Sequence, residues 1–178
     1  MKGLSPVQQR FILHWGEMGA RWGINRTVAQ IHALLFLMAR PLNAEEITEV
    51  LDVARSNVSN SIRELQNWGI IRLVHLPGDR RDHFESLKDV NEMFRIILNE
   101  RKRRELDPTL RVIRECLDQP AKEEIDATTK ERLEAMLGFF ELAEKLFGQL
   151  DKVSTKNLIR AAKMGGGMFR VLGLTSKE

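Results

Sequence analysis

The chain has 178 residues, with 28 Lys and Arg against 25 Asp and Glu, so its formal net charge is only +3. This length suits one compact domain, or a small domain with a helical extension. The balanced charge excludes a polycation that holds nucleic acid by general attraction, and no apolar run approaches the ~20 residues of a membrane-spanning helix.

Two helices are predicted before residue 40. Ser5, Pro6 and Gln8 supply an N-cap, a proline at N1 and the Gln of a capping box, so the first helix is expected to begin at Pro6. A second helix is expected from about 26 to 38 and should end before Pro41. The aromatic and apolar residues that share one face of the first helix are Phe11, Trp15, Met18 and Trp22.

A helix-turn-helix pattern follows between residues 43 and 69. Asn43 and Glu46 form a second capping box, which predicts a helix from Ala44. Residues 52–54 suit a turn, and another helix should run from about 55 to 67. Gly69 stands where a left-handed C′ residue would end it.

The second helix of this pair has an unusual polar face. Ser and Asn are poorer helix formers than the Glu and Lys that usually cover a solvated face. Hydrogen bonding to DNA bases and phosphates would be a compensating use, whereas the alternative is an indifferent surface helix. The face consists of Arg55, Ser56, Asn57, Ser59, Asn60 and Arg63.

A β-hairpin is predicted next, with strands over about 70–76 and 82–87. Its tip at 77–82 contains Pro77, Gly78 and Asp79, which are turn residues, and then Arg80 and Arg81. These arginines could contact phosphates or enter a minor groove. The alternative is a charged loop that keeps the tip soluble, but the position directly after the polar helix favours the DNA contact.

The segment 44–84 resembles the winged-helix transcription regulators of the MarR type, and more closely the subgroup named for the glycine betaine synthesis repressor. The resemblance rests on the residues 56–65 in the second helix, 78–82 at the hairpin, Phe94-Arg95 and 101–108, and extends over about 11–117. It implies a homodimer on a near-palindromic operator in double-stranded DNA, usually as a repressor and sometimes released by a small ligand. Carried over by position, the polar face from Arg55 to Arg63 would read the major groove, and Arg80 and Arg81 would be the wing contacts.

The predicted fold class is therefore mainly α, a winged helix-turn-helix with a small β-hairpin wing and a C-terminal helical dimerisation region. The expected domains are 1–88 for DNA binding and 89–178 for dimerisation. A helix over about 88–105 should kink or restart at Asp107, as N-cap, and Pro108, with the next break at Gln119-Pro120. The apolar seam expected after the restart is Leu106, Leu110, Ile113 and Leu117.

A longer apolar stripe follows from about residue 128. It indicates either an intramolecular core or, as we prefer from its length and period, an interface between two subunits. Its members are Leu133, Met136, Phe140, Ala143, Phe147 and Leu150.

Two basic segments have several interpretations. The run 101–104 can pair with nearby acidic residues or, less plausibly, contact phosphates. A last helix from Ser154, ending before a break at 165–167, is included in the basic segment 152–170. That segment is interpreted, in order of preference, as a solvated face, an intersubunit ion-pair partner or a secondary DNA contact.

The sequence contains no pattern typical of an enzyme, a metal site or a bound cofactor. The four histidines lack metal-ligand spacing, and His75 and His83 are expected to be exposed on the hairpin. Cys116 is expected to be a buried or half-buried apolar group. Because no signal sequence is recognisable, a cytoplasmic location is expected.

An effector site is a further hypothesis. Phe11, Trp15 and Trp22 could hold a quaternary ammonium compound, which the subgroup's name suggests, through cation–π attraction. The alternative is that these aromatic residues are core. A different class of function also stays open, since winged helices serve as protein-interaction modules in chromosome-organising complexes.

Overall fold

The computed structural model describes residues 1–118 and 125–152, with side chains up to residue 148. It divides into two compact units, Met1–Leu98 and the part from Asn99 onward. The predicted boundary after residue 88, between a DNA-binding and a dimerisation domain, stays a prediction.

The first two helices form the base of the first unit. Helix α1 is Pro6–Arg21 and begins with the predicted capping box of Ser5 and Gln8. Helix α2 is Arg26–Leu37, with Asn25 as its N-cap. The two approach closely at Gly19, where an added Cβ would lie only 2.6 Å from the Cβ of Ala29.

The helix-turn-helix has the predicted boundaries. Helix α3 is Ala44–Leu51, capped by Asn43 and Glu46, and helix α4 is Arg55–Trp68. Asp52 ends α3 with a left-handed φ of 56°. Gly69 ends α4 with a φ of 75°, a conformation that glycine adopts without a steric penalty.

The wing is part of a three-stranded antiparallel sheet. Strand β1 is Leu42–Asn43, β2 is Ile71–Val74 and β3 is His83–Ser86, in the spatial order β1-β3-β2. Leu42 is paired with Phe84, and Leu73 with the same residue from the other side. The sequence did not predict strand β1, because two residues are too few to show an alternation of apolar and polar side chains. The hairpin was predicted from the turn residues at its tip.

One hydrophobic core joins these elements. Helix α4 contributes the apolar side opposite its polar face, and α2 is apolar over most of its circumference. The largest fully buried side chains of this core are Ile12, Ile31, Leu34, Leu35, Ile47, Val58, Leu65 and Ile70.

Helix α5, Val90–Arg101, follows the wing, and the Asp89 carboxylate accepts hydrogen bonds from the backbone N–H groups of Asn91 and Glu92 at its start. A π-helical turn, Lys102–Leu106, continues directly into α6, Asp107–Leu117. The prediction that Asp107 caps a restarted helix is therefore wrong. Asp107 is itself helical and its N–H donates to the carbonyl of Lys102, five residues back, so the widened turn makes room for Pro108 without a break.

The predicted pairing of the basic run with nearby acidic residues is confirmed for three of its members. Lys102 Nζ lies 2.7 Å from Asp107 Oδ1 and 3.1 Å from Glu144 Oε1. Arg101 pairs with Glu105, and Arg103 pairs with Glu100. These contacts hold the π-helical turn against its neighbours within the second unit.

Helix α7, Ala127–Lys152, packs against α6, and Leu110 and Ile113 of the predicted seam are buried. The predicted stripe on α7 is divided, because Leu133, Phe140 and Ala143 are half-buried while Met136 and Phe147 are exposed. A second exposed apolar set was missed: Phe139, Leu142 and Leu146. Cys116 is half-buried, as expected.

Some expectations lie outside the described residues. They are the break at 119–120, the side chain of Leu150, the helix from Ser154 with the glycines at 165–167, and the basic segment 152–170. The mainly helical fold class with a winged helix and C-terminal helices is confirmed.

Candidate nucleic-acid interface

The polar face of α4 points away from the core. Val58, Ile62 and Leu65 are buried on its other side, together with Ser61. The arrangement follows from the i, i+4, i+7 spacing of the apolar residues. All six predicted DNA-contacting residues of the helix are exposed: Arg55, Ser56, Asn57, Ser59, Asn60 and Arg63.

The wing arginines differ in their contacts. Arg81 Nε donates to both carboxylate oxygens of Asp79, at 2.9 and 3.1 Å. The hydrogen bond from Arg81 holds the pKa of the Asp79 carboxyl well below its usual range, and the same contact raises the pKa of Arg81. Arg80 is exposed and has no ion-pair partner among the described residues.

Glu45 of α3 connects the helix-turn-helix with the wing. Its Oε1 lies 3.2 Å from Arg55 Nη1, and its Oε2 lies 3.5 Å from Arg81 Nη1. One carboxylate thus faces two of the predicted DNA-contacting arginines. The sequence indicated that α3 is acidic, but not that this residue lies between α4 and the wing.

The helix and the wing face a common groove of about 420 Å³. Its walls include Glu45, three residues of the polar face, and Arg81 of the wing. The three residues from α4 are Arg55, Ser59 and Arg63. Ser56, Asn57, Asn60 and Arg80 are exposed but do not line this groove.

Positive charge in this region is partly compensated. Arg55 and Arg81 share Glu45, and Arg72 Nε lies 2.6 Å from Glu85 Oε1 across the hairpin. Arg63, like Arg80, has no ion pair within the part of the chain that the structure describes. These two guanidinium groups are therefore the ones that could meet phosphates without first leaving a carboxylate.

His83 supports the wing from inside, and the expectation that it is exposed is wrong. It is only 3% exposed, since the β1–β3 pairing covers it, whereas His75 is exposed. Its Nδ1 lies 2.9 Å from the carbonyl oxygen of Arg81, and its Nε2 lies 3.6 Å from Asp79 Oδ2. The ring therefore contacts both residues that shape the tip.

The aromatic residues predicted to bind a ligand lie along α1. Phe11 stacks on Trp15 with 5.4 Å between ring centroids. Trp15 and Trp22 line one apolar cavity, while Phe11 and Trp15 line a smaller one beside it. The structure thus brings Trp15 together with each of the other two, but Phe11 and Trp22 do not line the same cavity.

Neither a metal-ligand cluster nor a membrane-spanning helix is present among the described residues. No group of three or more His, Cys, Asp or Glu could hold a metal ion within 1–118 and 125–152. Across the same ranges, no helix is both long enough and apolar enough to span a membrane.

Comparison with known proteins finds a family similar to the helix-turn-helix segment. Residues 22–82 match the model of the MarR family. YvaV of Bacillus subtilis (strain 168), named as a provisional HTH-type transcriptional regulator, is 22% identical over 91 residues. That match covers 51% of this chain and 51% of YvaV, so the chain spans about half the length of this relative.

A solved structure shows a similar fold. A crystal structure of a transcriptional regulator has a TM-score of 0.64 at 20% identity, and the match covers 82% of this chain and 96% of that one. A mutant of S. aureus MepR bound to an oligodeoxyribonucleotide matches over 79% of this chain and 92% of its own, with a TM-score of only 0.39 at 15% identity. Residues 22–82 thus combine a match to the MarR family model with the winged-helix arrangement of α3, α4 and the sheet.

Proposed function

We propose that this protein is a dimeric, cytoplasmic transcriptional regulator that binds double-stranded DNA and acts as a repressor. The observation that carries the proposal is that part of the α4 polar face and Arg81 of the wing line one groove, while the other predicted contact residues are also exposed. A helix-turn-helix dimer of this kind would bind a near-palindromic operator, one half-site per subunit. Membership of the subgroup named for the glycine betaine synthesis repressor is part of the same proposal.

The contacts are proposed from side-chain chemistry. Asn57 and Asn60 have amides that can pair with adenine in the major groove, and their exposure on α4 favours that role. Ser56 and Ser59 can hydrogen-bond bases or phosphates. The cationic contacts would be Arg55 and Arg63 on α4, with Arg80 and Arg81 on the wing to phosphates or the minor groove.

We propose no catalytic role, metal or cofactor for this protein. We also propose that a small-molecule effector releases the protein from DNA. The resemblance suggests that this effector is a quaternary ammonium compound. Phe11, Trp15 and Trp22 are the proposed contacts for that effector.

Recovery of bound fragments from genomic DNA tests the proposal and supplies the operator. Fragments that share a near-palindromic sequence are expected. The purified protein should then bind this operator, and the logarithm of its association constant should fall linearly with the logarithm of the salt concentration. A protein-interaction module of a chromosome-organising complex would give no specific duplex complex at physiological salt.

Substitutions then separate the two kinds of contact. Asn57→Ala or Asn60→Ala should reduce discrimination between the operator and a mismatched site by about 1–3 kcal/mol. Asn67→Ala is the matched control, because Asn67 is exposed near the end of α4, two helical turns beyond Asn60 and past the proposed contact residues. Arg80→Ala should weaken binding to all duplexes and reduce the salt slope by about 1. Unchanged binding by the Arg80/Arg81 double alanine variant would contradict the wing assignment.

A further inference from the structure

Buried His83 contacts the tip of the wing through both of its ring nitrogens. The residue lies on β3, where Asn43 of β1 and Val74 of β2 are paired with it. Its Nδ1 lies 2.9 Å from the carbonyl oxygen of Arg81, and its Nε2 lies 3.6 Å from Asp79 Oδ2. The ring therefore stands beside the ion pair of the tip.

The contact with the carbonyl decides which nitrogen of His83 carries the proton. A carbonyl oxygen only accepts hydrogen bonds, so Nδ1 is the protonated nitrogen of the neutral ring. Nε2 then turns a lone pair toward a carboxylate oxygen, and neither atom can donate to the other. A proton on Nε2 would convert this approach into an attraction between an imidazolium and a carboxylate.

The same carboxylate oxygen also binds Arg81. Arg81 Nη2 lies 2.5 Å from Asp79 Oδ2, and Arg81 Nε donates to both oxygens of that carboxylate. A proton on His83 therefore brings a second cation to the group that keeps the Arg81 guanidinium on the tip. Because two cations would then share one negative charge, the bond between Arg81 and Asp79 becomes weaker.

A carboxylate of α3 also interacts electrostatically with His83. This residue is Glu46, and its two oxygens already have donors. One accepts from Arg40 Nη2 at 2.6 Å, and the other accepts from the backbone N–H of Asn43 at 2.8 Å. Asp79 is thus the carboxylate that lies in line with the His83 Nε2.

The remaining charged groups near β3 have other contacts. Glu45 of α3 pairs with Arg81 at 3.5 Å and so competes with Asp79 for the same guanidinium. Helix α2 packs on β3, and its titratable residues are Arg26 and His32. Within the described ranges, no ion pair or ring contact joins either of them to His83.

We propose that His83 is a positioning residue for the wing, and that proton uptake at its Nε2 releases Arg81 from Asp79, so that the protein binds DNA more tightly as pH falls. Histidine is the side chain whose charge ordinarily changes between pH 5 and 8. Tighter DNA binding rests on the proposed function, whereas the release of Arg81 does not. By linkage, a proton that favours DNA binding is itself bound more tightly when DNA is present.

Nitrogen NMR of the free full-length protein, without DNA, tests the release of Arg81. At pH 8 the His83 ring should be the tautomer with its proton on Nδ1. As pH falls to 5, the ring should gain a proton on Nε2, and the Arg81 Nε signal should shift with the same midpoint. Loss of each signal in His83→Asn and Arg81→Lys assigns it. A ring that carries its proton on Nε2 at pH 8, that takes up none above pH 5, or that titrates without Arg81 would overturn the proposal.

Fluorescence anisotropy with the operator duplex tests the effect on DNA binding. His83→Asn is the variant, because its amide can still donate to the carbonyl of Arg81 but does not titrate. Between pH 7.5 and 5.5 the wild-type affinity should rise roughly two- to fivefold more than that of His83→Asn, the factor expected from weakening one exposed ion pair. His75→Asn, at an exposed position on the same hairpin, is the matched control and should keep the wild-type rise.

A second variant covers the case in which His83→Asn does not fold. Asp79→Asn removes the charge that both cations share, so it should bind the operator more tightly at pH 7.5 and lose the same part of the pH dependence. A wild-type pH dependence in folded His83→Asn or in Asp79→Asn would overturn the proposal. Absence of any specific duplex complex would instead refute the proposed regulator function, and the NMR titration would still decide the role of His83.

Discussion

Glu45 lies between the two arginines that are expected to meet DNA from different elements. Its carboxylate oxygens are 3.2 Å from Arg55 and 3.5 Å from Arg81. All three side chains are more than half exposed, so each pair contributes little to stability. The effect that we propose for the carboxylate is on function, because it would compete with phosphates for both guanidinium groups.

Replacement of this carboxylate should therefore strengthen DNA binding. Glu45→Gln preserves the shape and removes one negative charge from the groove, so we expect affinity for every duplex to rise by about 0.5–1 kcal/mol at low salt. Fluorescence anisotropy over a range of salt concentrations measures it. Glu49→Gln, on the same helix and 3.7 Å from Lys2, is the control and should change little. A loss of affinity in Glu45→Gln would mean that Glu45 instead orients the arginines for binding.

His32 makes the stability of the protein depend on pH. Its pKa is lowered from 6.5 to about 4, chiefly by burial. Between these values the unfolded chain binds a proton that the native chain does not, so stability falls as pH decreases from 6.5 toward 4 and is unaffected by this group above 6.5. The slope cannot exceed about 1.4 kcal/mol per pH unit for one proton.

Urea unfolding at pH 7, 6 and 5 measures this contribution as a difference between variants. His32→Leu should lose most of the slope that the wild type shows, and should be at least as stable at pH 7 because an unpartnered buried nitrogen is removed. His14→Leu, at an exposed histidine, should retain the wild-type slope. Equal slopes in wild type and His32→Leu would contradict a buried neutral imidazole.

At the scale of elements, the packing of α1 on α2 depends on glycine. A Cβ at Gly19 would lie 2.6 Å from the Cβ of Ala29, an atom that cannot rotate away. Gly19→Ala should therefore force the helices apart and cost about 1–3 kcal/mol, in spite of the better helix propensity of alanine. Gly138→Ala on α7 is the opposite case, since nothing lies within 4 Å, and should stabilise its helix by up to ~1 kcal/mol. Thermal unfolding followed by circular dichroism should give shifts of opposite sign, and two equal shifts would refute the packing argument.

Elements with local chemical signals could be predicted from the sequence, and elements defined by distant contacts could not. The capping boxes at Ser5 and Asn43 each lie within four consecutive residues, and they predicted the starts of two helices. Strand β1 exists only because Leu42 and Asn43 meet β3 some 40 residues later, and Asp107 is helical because a π-helical turn absorbs Pro108. The same distinction holds at the site, where the exposed face of α4 followed from helical spacing. The contact of Glu45 with Arg81 and the burial of His83 required the folded arrangement.

At the scale of the whole molecule, little positive charge is left uncompensated for attracting DNA. The net charge of +3 is small, and most arginines near the groove already have carboxylate partners. DNA affinity should then come from a few placed contacts and from the linkage of two half-sites, rather than from general attraction. That linkage requires a second copy, for which α7 offers the exposed apolar residues.

Helix α7 carries apolar side chains on more of its circumference than α6 can cover. Phe139 is 68% exposed, and Leu142 and Leu146 are also more than half exposed. They follow one another at steps of three and four, so they form one stripe along the helix. Exposed leucine and phenylalanine in such a stripe are typical of a surface that another protein covers, and a second copy of this chain would pair like with like.

The double variant Phe139→Glu/Leu142→Glu should therefore convert the proposed dimer into a monomer in sedimentation velocity, since four carboxylates would meet in an apolar interface. Affinity for a two-half-site operator should fall about a hundredfold or more, whereas affinity for an isolated half-site should be unchanged. Lys130→Glu, nine residues before Phe139 and so on the opposite side of the helix, should remain dimeric. If the double variant stayed dimeric with full operator affinity, the subunits would associate through another surface, and the exposed stripe on α7 would need a different partner.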